Sequence, residues 1–163
     1  MSKRIEYGER WSDYYQNWRF PYTEAEARRK HEQRELYTAL ITEDDGATVA
    51  VELCFAFAYC NIYLHDALGR SAMTFTFEPA SEGRLFLSDA IRTEFQGTNR
   101  LGWRGMGHTY TQDGRRKTMV SVNRQISLIA ENEPVDVRSH FEPVPPFGQW
   151  ERLICCARNH PPE

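Results

Sequence analysis

The sequence predicts an α+β fold: N-terminal helices packed on a curved, mostly antiparallel sheet of about six strands, half-barrel-like, in a single domain spanning residues 1–163. Three observations carry this reading. From Val49 the odd positions read Val49, Val51, Leu53, Phe55, Phe57, Tyr59, Asn61 and Tyr63, and the even ones Ala50, Glu52, Cys54, Ala56, Ala58, Cys60, Ile62 and Leu64. A period of two sets these on opposite faces of one strand, one aromatic and the other mostly small. Ahead of that strand, Trp11, Tyr14, Tyr15 and Trp18 recur at i, i+3, i+4 and i+7, the stripe of a helix that would cover the aromatic face. Behind it, short alternating runs separated by turn residues describe a meander.

Each element has a local reason. Pro21 stops the first helix, and Thr23 with Glu26 three residues on forms a capping box that opens a second, from 23 to about 36. Residues 36–41 either continue it or make a first strand. Glu43-Asp44-Asp45-Gly46 is a turn, and residues 48–64 form the organising strand. A turn at 65–70 leads into Met73, Phe75 and Phe77; another at 79–83 leads into a strand over 84–95. Residues 96–107 carry four glycines around Trp103 and read as an irregular loop. Asp113-Gly114 joins 108–112 to 116–129 as a hairpin. Residues 131–146 are polar and irregular, 149–157 a last short strand around Trp150, Leu153 and Ile154, and 160–163 a frayed tail.

Composition narrows the function classes. A net charge of −3 and a pI near 6.0 argue against a general affinity for nucleic acid. The basic triplets Arg28-Arg29-Lys30 and Arg115-Arg116-Lys117 read as solvated surface. No stretch reaches the roughly 20 apolar residues of a membrane span, and the charged start lacks the apolar run of a signal peptide. The expectation is a whole chain in the cytoplasm, without membrane contact. Cys54 and Cys60 on one straight strand would lie about 20 Å apart, and Cys155 and Cys156 are neighbours. Four free thiols follow, with cross-pairing of the two sets as the alternative.

Chemical signatures are few. His31, His65, His108, His140 and His160 show no metal-binding spacing, and neither a metal nor a cofactor is expected. His65-Asp66 reads as a solvated capping pair at a turn. No nucleophile elbow occurs, and Gly102–Gly107 lacks the context of a phosphate loop. Glu52 stands out as an acid between Val51 and Leu53; buried, it could serve as a general base. Acidic residues also cluster at Glu43-Asp44-Asp45, at Glu78 with Glu82, and at Glu131, Glu133 and Asp136, where they could dock a basic partner.

The stretch Met73-Thr-Phe-Thr-Phe-Glu-Pro-Ala-Ser-Glu-Gly-Arg-Leu-Phe-Leu-Ser-Asp-Ala-Ile-Arg-Thr-Glu-Phe95 resembles the central hairpin of small bacterial immunity proteins. Those proteins neutralise toxins of contact-dependent growth inhibition and related polymorphic toxin–antitoxin systems. The resemblance implies a cytoplasmic, non-catalytic protein that tightly binds a toxin domain. On that reading no residue is catalytic, and the protein works by occupying its partner's active or binding surface. The rim would draw on Glu43, Asp44, Asp45, Glu131, Glu133 and Asp136, with Trp103 or Tyr110 as a buried anchor. The competing class is a small-molecule-binding protein or enzyme with an aromatic pocket in a curved sheet. There Phe55, Phe57, Tyr59 and Tyr63 would line the pocket, and Glu52 or His108 would act as general base.

Overall fold

Turns, more than strand length, shape this chain. The structure, a computed structural model, describes residues 3–55 and 59–162. Its elements run β1 (Arg4–Gly8), β2 (Trp11–Ser12), β3 (Asn17–Trp18), β4 (Pro21–Tyr22), α1 (Glu24–Glu32), β5 (Tyr37–Thr42), β6 (Thr48–Cys54) and β7 (Tyr59–His65). They continue with β8 (Ser71–Pro79), β9 (Arg84–Glu94), β10 (Arg104–Thr111), β11 (Arg115–Val122), β12 (Gln125–Pro134), β13 (Phe141–Pro143) and α2 (Glu151–Arg158). An eleven-stranded sheet takes the order β12-β11-β10-β9-β8-β7-β6-β5-β1-β4, with β13 beside the start of β9. β2 and β3 form a separate two-stranded ribbon.

This sheet-dominated architecture corrects the expectation of N-terminal helices on about six strands. Trp11 to Trp18 is a ribbon in which the two tryptophans pair across the strands, ring centroids 5.2 Å apart. The long strand over 48–64 is two strands, with Cys54 opposite Tyr59; Phe57 lies outside the described residues. Residues 36–41 are a strand rather than a helical extension, and β10 begins inside the expected glycine loop. The expected last strand is α2, where Leu153, Ile154, Cys156 and Ala157 are buried while Arg152 and Cys155 face out. Local signals fared better. The Thr23–Glu26 capping box is present in full, Gly114 turns the β10–β11 hairpin at φ +86, and residues 73–95 do form a hairpin.

Register sorts the side chains into two faces. One row crosses eight strands as Tyr7, Ala39, Val51, Ile62, Phe75, Ala90, His108 and Thr118. This face forms the core, covered by Ala27 of α1, the buried side of α2, and Trp150. The row behind it reads Gly8, Thr38, Glu52, Asn61, Thr76, Asp89, Thr109 and Lys117. A row this polar belongs on a face that meets water, so it also fixes register: a slip of one residue would bury it. Cys54 and Cys60 sit on opposite faces of the β6–β7 pair, and all four cysteines are free. Their separation therefore comes from the pleat and not, as the sequence suggested, from distance along one strand. No helix among the described residues is long and apolar enough to cross a membrane.

Candidate functional site

The polar row runs beneath the β2–β3 ribbon, and between them lies a recess of about 510 Å³. The ribbon and the residue before it contribute Arg10, Trp11, Asp13 and Tyr14; the sheet contributes Thr38, Ala50, Glu52, Tyr59 and Tyr63. The β6–β7 hairpin explains this grouping. Because Cys54 faces Tyr59, residues of opposite parity share a face across the turn, so Tyr63 joins Ala50 and Asn61 joins Glu52. The aromatic set is thereby divided: Tyr59 and Tyr63 line the recess, while Phe55 packs against His31.

Glu52 is the recess's buried charge, 9% exposed. Asn61 donates from Nδ2 to Glu52 Oε1 at 3.3 Å and to the Tyr63 hydroxyl at 3.2 Å, and accepts from Thr76 Oγ1 at 2.9 Å. Arg10 approaches Glu52 Oε2 at 3.8 Å with half its side chain, 51%, exposed. The charge of Glu52 raises the Arg10 pKa. Burial first, and the Glu52 charge second, push the Tyr59 and Tyr63 hydroxyls above their ordinary range. Both phenols therefore stay protonated at neutral pH and present hydrogen-bonding groups and ring faces, not nucleophiles.

A second network ties the ribbon to the sheet. Asp13 Oδ1 meets His65 Nε2 at 3.0 Å, Asp13 Oδ2 accepts from the Ser71 hydroxyl, and His65 Nδ1 meets Thr48 Oγ1 at 2.9 Å. The Asp13 carbonyl accepts from Arg100 at 2.8 Å and from Gln16 at 2.7 Å. Burial raises the Asp13 pKa, but the bonds from His65 and Ser71 outweigh it and hold the carboxyl below its ordinary value. His65 is thus a buried partner of the ribbon rather than a solvated turn residue, its side chain 1% exposed. Asp66 does cap the turn, accepting from the Leu68 and Arg70 amides at 2.9 and 3.0 Å.

The residues expected at a partner surface are dispersed. Glu43, Asp44 and Asp45 occupy the β5–β6 turn, where Glu43 pairs with Arg158 at 3.0 Å and Asp45 caps the Ala47 amide. Trp103, half-buried before β10, lies at the same end of the sheet. Glu131 and Glu133 belong to β12 and run toward the opposite end, where Asp136 follows them. Glu133 pairs with Arg116 at 3.0 Å. Asp136 binds Arg138, whose hydrogen bonds lower its carboxyl to about 2. Tyr110 is buried, its ring centroid 4.4 Å from that of His140, so it supports the core. His108 is likewise buried on the core face, with Nδ1 3.0 Å from Thr118 Oγ1.

Sequence reasoning singled out Glu52, Tyr59 and Tyr63 but missed Arg10, Asp13 and Asn61 as members of one site. The available signal was the excess of turn-forming residues between Trp11 and Trp18, at Ser12-Asp13 and Gln16-Asn17. Among the described residues no group of three or more His, Cys, Asp or Glu side chains is placed to hold a metal ion. No protein-family model, no curated protein and no solved structure matches the chain, so its resemblance to immunity proteins rests on the residues of the β8–β9 hairpin alone.

Proposed function

We propose that the chain is a non-catalytic binding protein, that the recess under the β2–β3 ribbon is its site, and that the group it takes is cationic. The carrying observation is Glu52: a buried carboxylate among aromatic walls whose nearest cation, Arg10, stands 3.8 Å away and half exposed. Arg10 is held by that long ion pair and a hydrogen bond with Tyr59, and because its side chain is half exposed it can swing out and be replaced by another cation. The rings of Trp11, Tyr14, Tyr59 and Tyr63 would then add cation–π attraction to the charge of Glu52. A lysine or arginine side chain presented by a basic protein, such as a toxin domain met by an immunity protein, fits this chemistry. Free thiols at all four cysteines support a cytoplasmic setting.

A second reading has its own observation. About 510 Å³ falls within the size of ordinary small-molecule pockets, which suits a free arylalkylamine. Both readings are tested by titrating isotope-labelled protein with N-acetyl-arginine amide, N-acetyl-lysine amide, phenethylamine and, as neutral control, N-acetyl-methionine amide. The expected result is saturable shifts of the Asn61 side-chain amide and Trp11 indole signals with the cations only. Glu52→Gln should weaken binding about tenfold or more, the loss of one charge-assisted contact. Preference for the amino-acid amides favours the protein partner; preference for phenethylamine favours the small amine. Shifts equal in Glu52→Gln, or none that saturate, would sink the cation site.

A further inference from the structure

We propose that β12 pairs antiparallel with β12 of a second copy of this chain, about a two-fold axis at Ser127. This rests on a different part of the molecule from the recess. β12 ends the strand order, and among the described residues no further strand joins its outer edge. It displays large apolar side chains to solvent, with Ile126 at 72%, Leu128 at 52% and Ile129 at 62% exposed. Edge strands in monomeric proteins are usually guarded by lysine, proline or inward charge, and an unguarded apolar edge marks a pairing site. Here bulges near Ile129 and Asn132 blunt the second half, but Gln125 to Leu128 keeps unbroken register with β11.

Hydrogen-bond parity selects the register. Asn123 and Arg124, both at positive φ, form a two-residue loop closed by the pair Val122 and Gln125. In such a hairpin the closing pair bonds inward and successive pairs alternate, so Gln125 and Ser127 bond to β11 while the amides and carbonyls of Ile126 and Leu128 point outward. A two-fold at Ser127 sets Ile126 of one copy opposite Leu128 of the other, twice, with these outward groups facing each other. It keeps both apolar side chains on the face where β10 offers Gly105 and Gly107 beside Met119, a shallow apolar groove that the second copy would extend. Charge agrees. β12 follows Arg124 and carries Glu131 and Glu133 near its end, and antiparallel self-pairing brings Arg124 of each copy beside Glu131 of the other.

The test is sedimentation equilibrium of the full chain with three sets of variants. The unmodified protein should dimerise reversibly. Ile126→Lys and Leu128→Lys, at exposed positions, should each weaken the dimer by about tenfold or more with unchanged circular dichroism. Arg124→Glu should weaken it, and Arg124→Glu combined with Glu131→Arg should restore it. In a Cys155→Ser background, Ser127→Cys should form a disulfide-linked dimer under mild oxidation, because a non-hydrogen-bonded antiparallel pair sets its Cα atoms about 4.5 Å apart. Gln125→Cys should not. A monomer at all concentrations, a dimer indifferent to both lysine variants, or Gln125→Cys crosslinking in preference to Ser127→Cys would overturn the proposal.

Discussion

Asp13 carries more of the site than its place in a short ribbon suggests. Its carboxylate joins His65 of β7 and Ser71 of β8, and its carbonyl takes Arg100 from the β9–β10 connection. Four parts of the chain therefore meet at one residue, and the ribbon is held over Glu52 by that meeting. The carboxyl's pKa is depressed in the folded state, so its stabilisation is present above the unfolded value of about 3.9 and lost as pH falls through the lower folded value. At neutral pH the latch is closed. We predict that Asp13→Asn loosens the ribbon at neutral pH by about 1–3 kcal/mol, the cost of weakening a partly buried charge-assisted contact. Tryptophan fluorescence across an acid titration checks it. The unmodified protein should show a ribbon transition below about pH 4 that the variant lacks; identical titrations would remove Asp13 from this role.

Two segments share one spacing at the scale of elements. Trp11, Tyr14, Tyr15 and Trp18 recur at i, i+3, i+4 and i+7, and so do Trp150, Leu153, Ile154 and Ala157, yet helix forms only over the second. Leu153, Ala157 and the arginines of α2 favour helix, whereas Ser12, Asp13 and Asn17 compete through turns and aromatic residues lose rotamer freedom in a helix. Periodicity alone could not separate them. The Asp113-Gly114 turn and the Thr23 capping box were legible because each is decided within four residues. The β6–β7 pairing was not, since the sequence between Cys54 and Tyr59 keeps alternating Phe with Ala and offers no turn residue. That one hidden pairing also hid the site: Glu52 and Tyr63 stand out singly, but the pairing decides that they share a face. The ribbon depends in turn on Gly8, where an added Cβ would lie 2.2 Å from Trp18 Cε3 and 2.7 Å from the Phe20 carbonyl oxygen. Gly8→Ala should therefore displace the ribbon at a cost of about 1–3 kcal/mol. It should abolish the exciton signal of the Trp11–Trp18 pair in circular dichroism while leaving the core folded; a preserved signal would show that the ribbon yields without moving.

Across the whole molecule, support is graded along the sheet. At β5–β8 the core face lies under α1, α2 and Trp150, and the opposite face is partly roofed by the ribbon, so Val51, Leu53, Ile62, Phe75 and Phe77 are fully buried. Toward β12 both covers run out, and only Ala130 and Glu133 of that strand are even half-buried. Amides open locally where few buried contacts hold them, so stability measured by hydrogen exchange should fall from the centre to this edge. We predict the slowest exchange in β6 and β7, intermediate rates in β9 and β10, and the fastest strand amides in β12. Self-pairing adds a second, separable expectation. The inward amides of Gln125 and Ser127 report the β11–β12 ladder at any concentration, whereas the outward amides of Ile126 and Leu128 gain partners only in the dimer. Diluting the protein should therefore speed exchange at Ile126 and Leu128 and leave the gradient across β6 to β10 unchanged. Uniform exchange along the sheet would contradict the graded fold, and a gradient without concentration dependence at those two amides would leave the fold standing while removing the pairing.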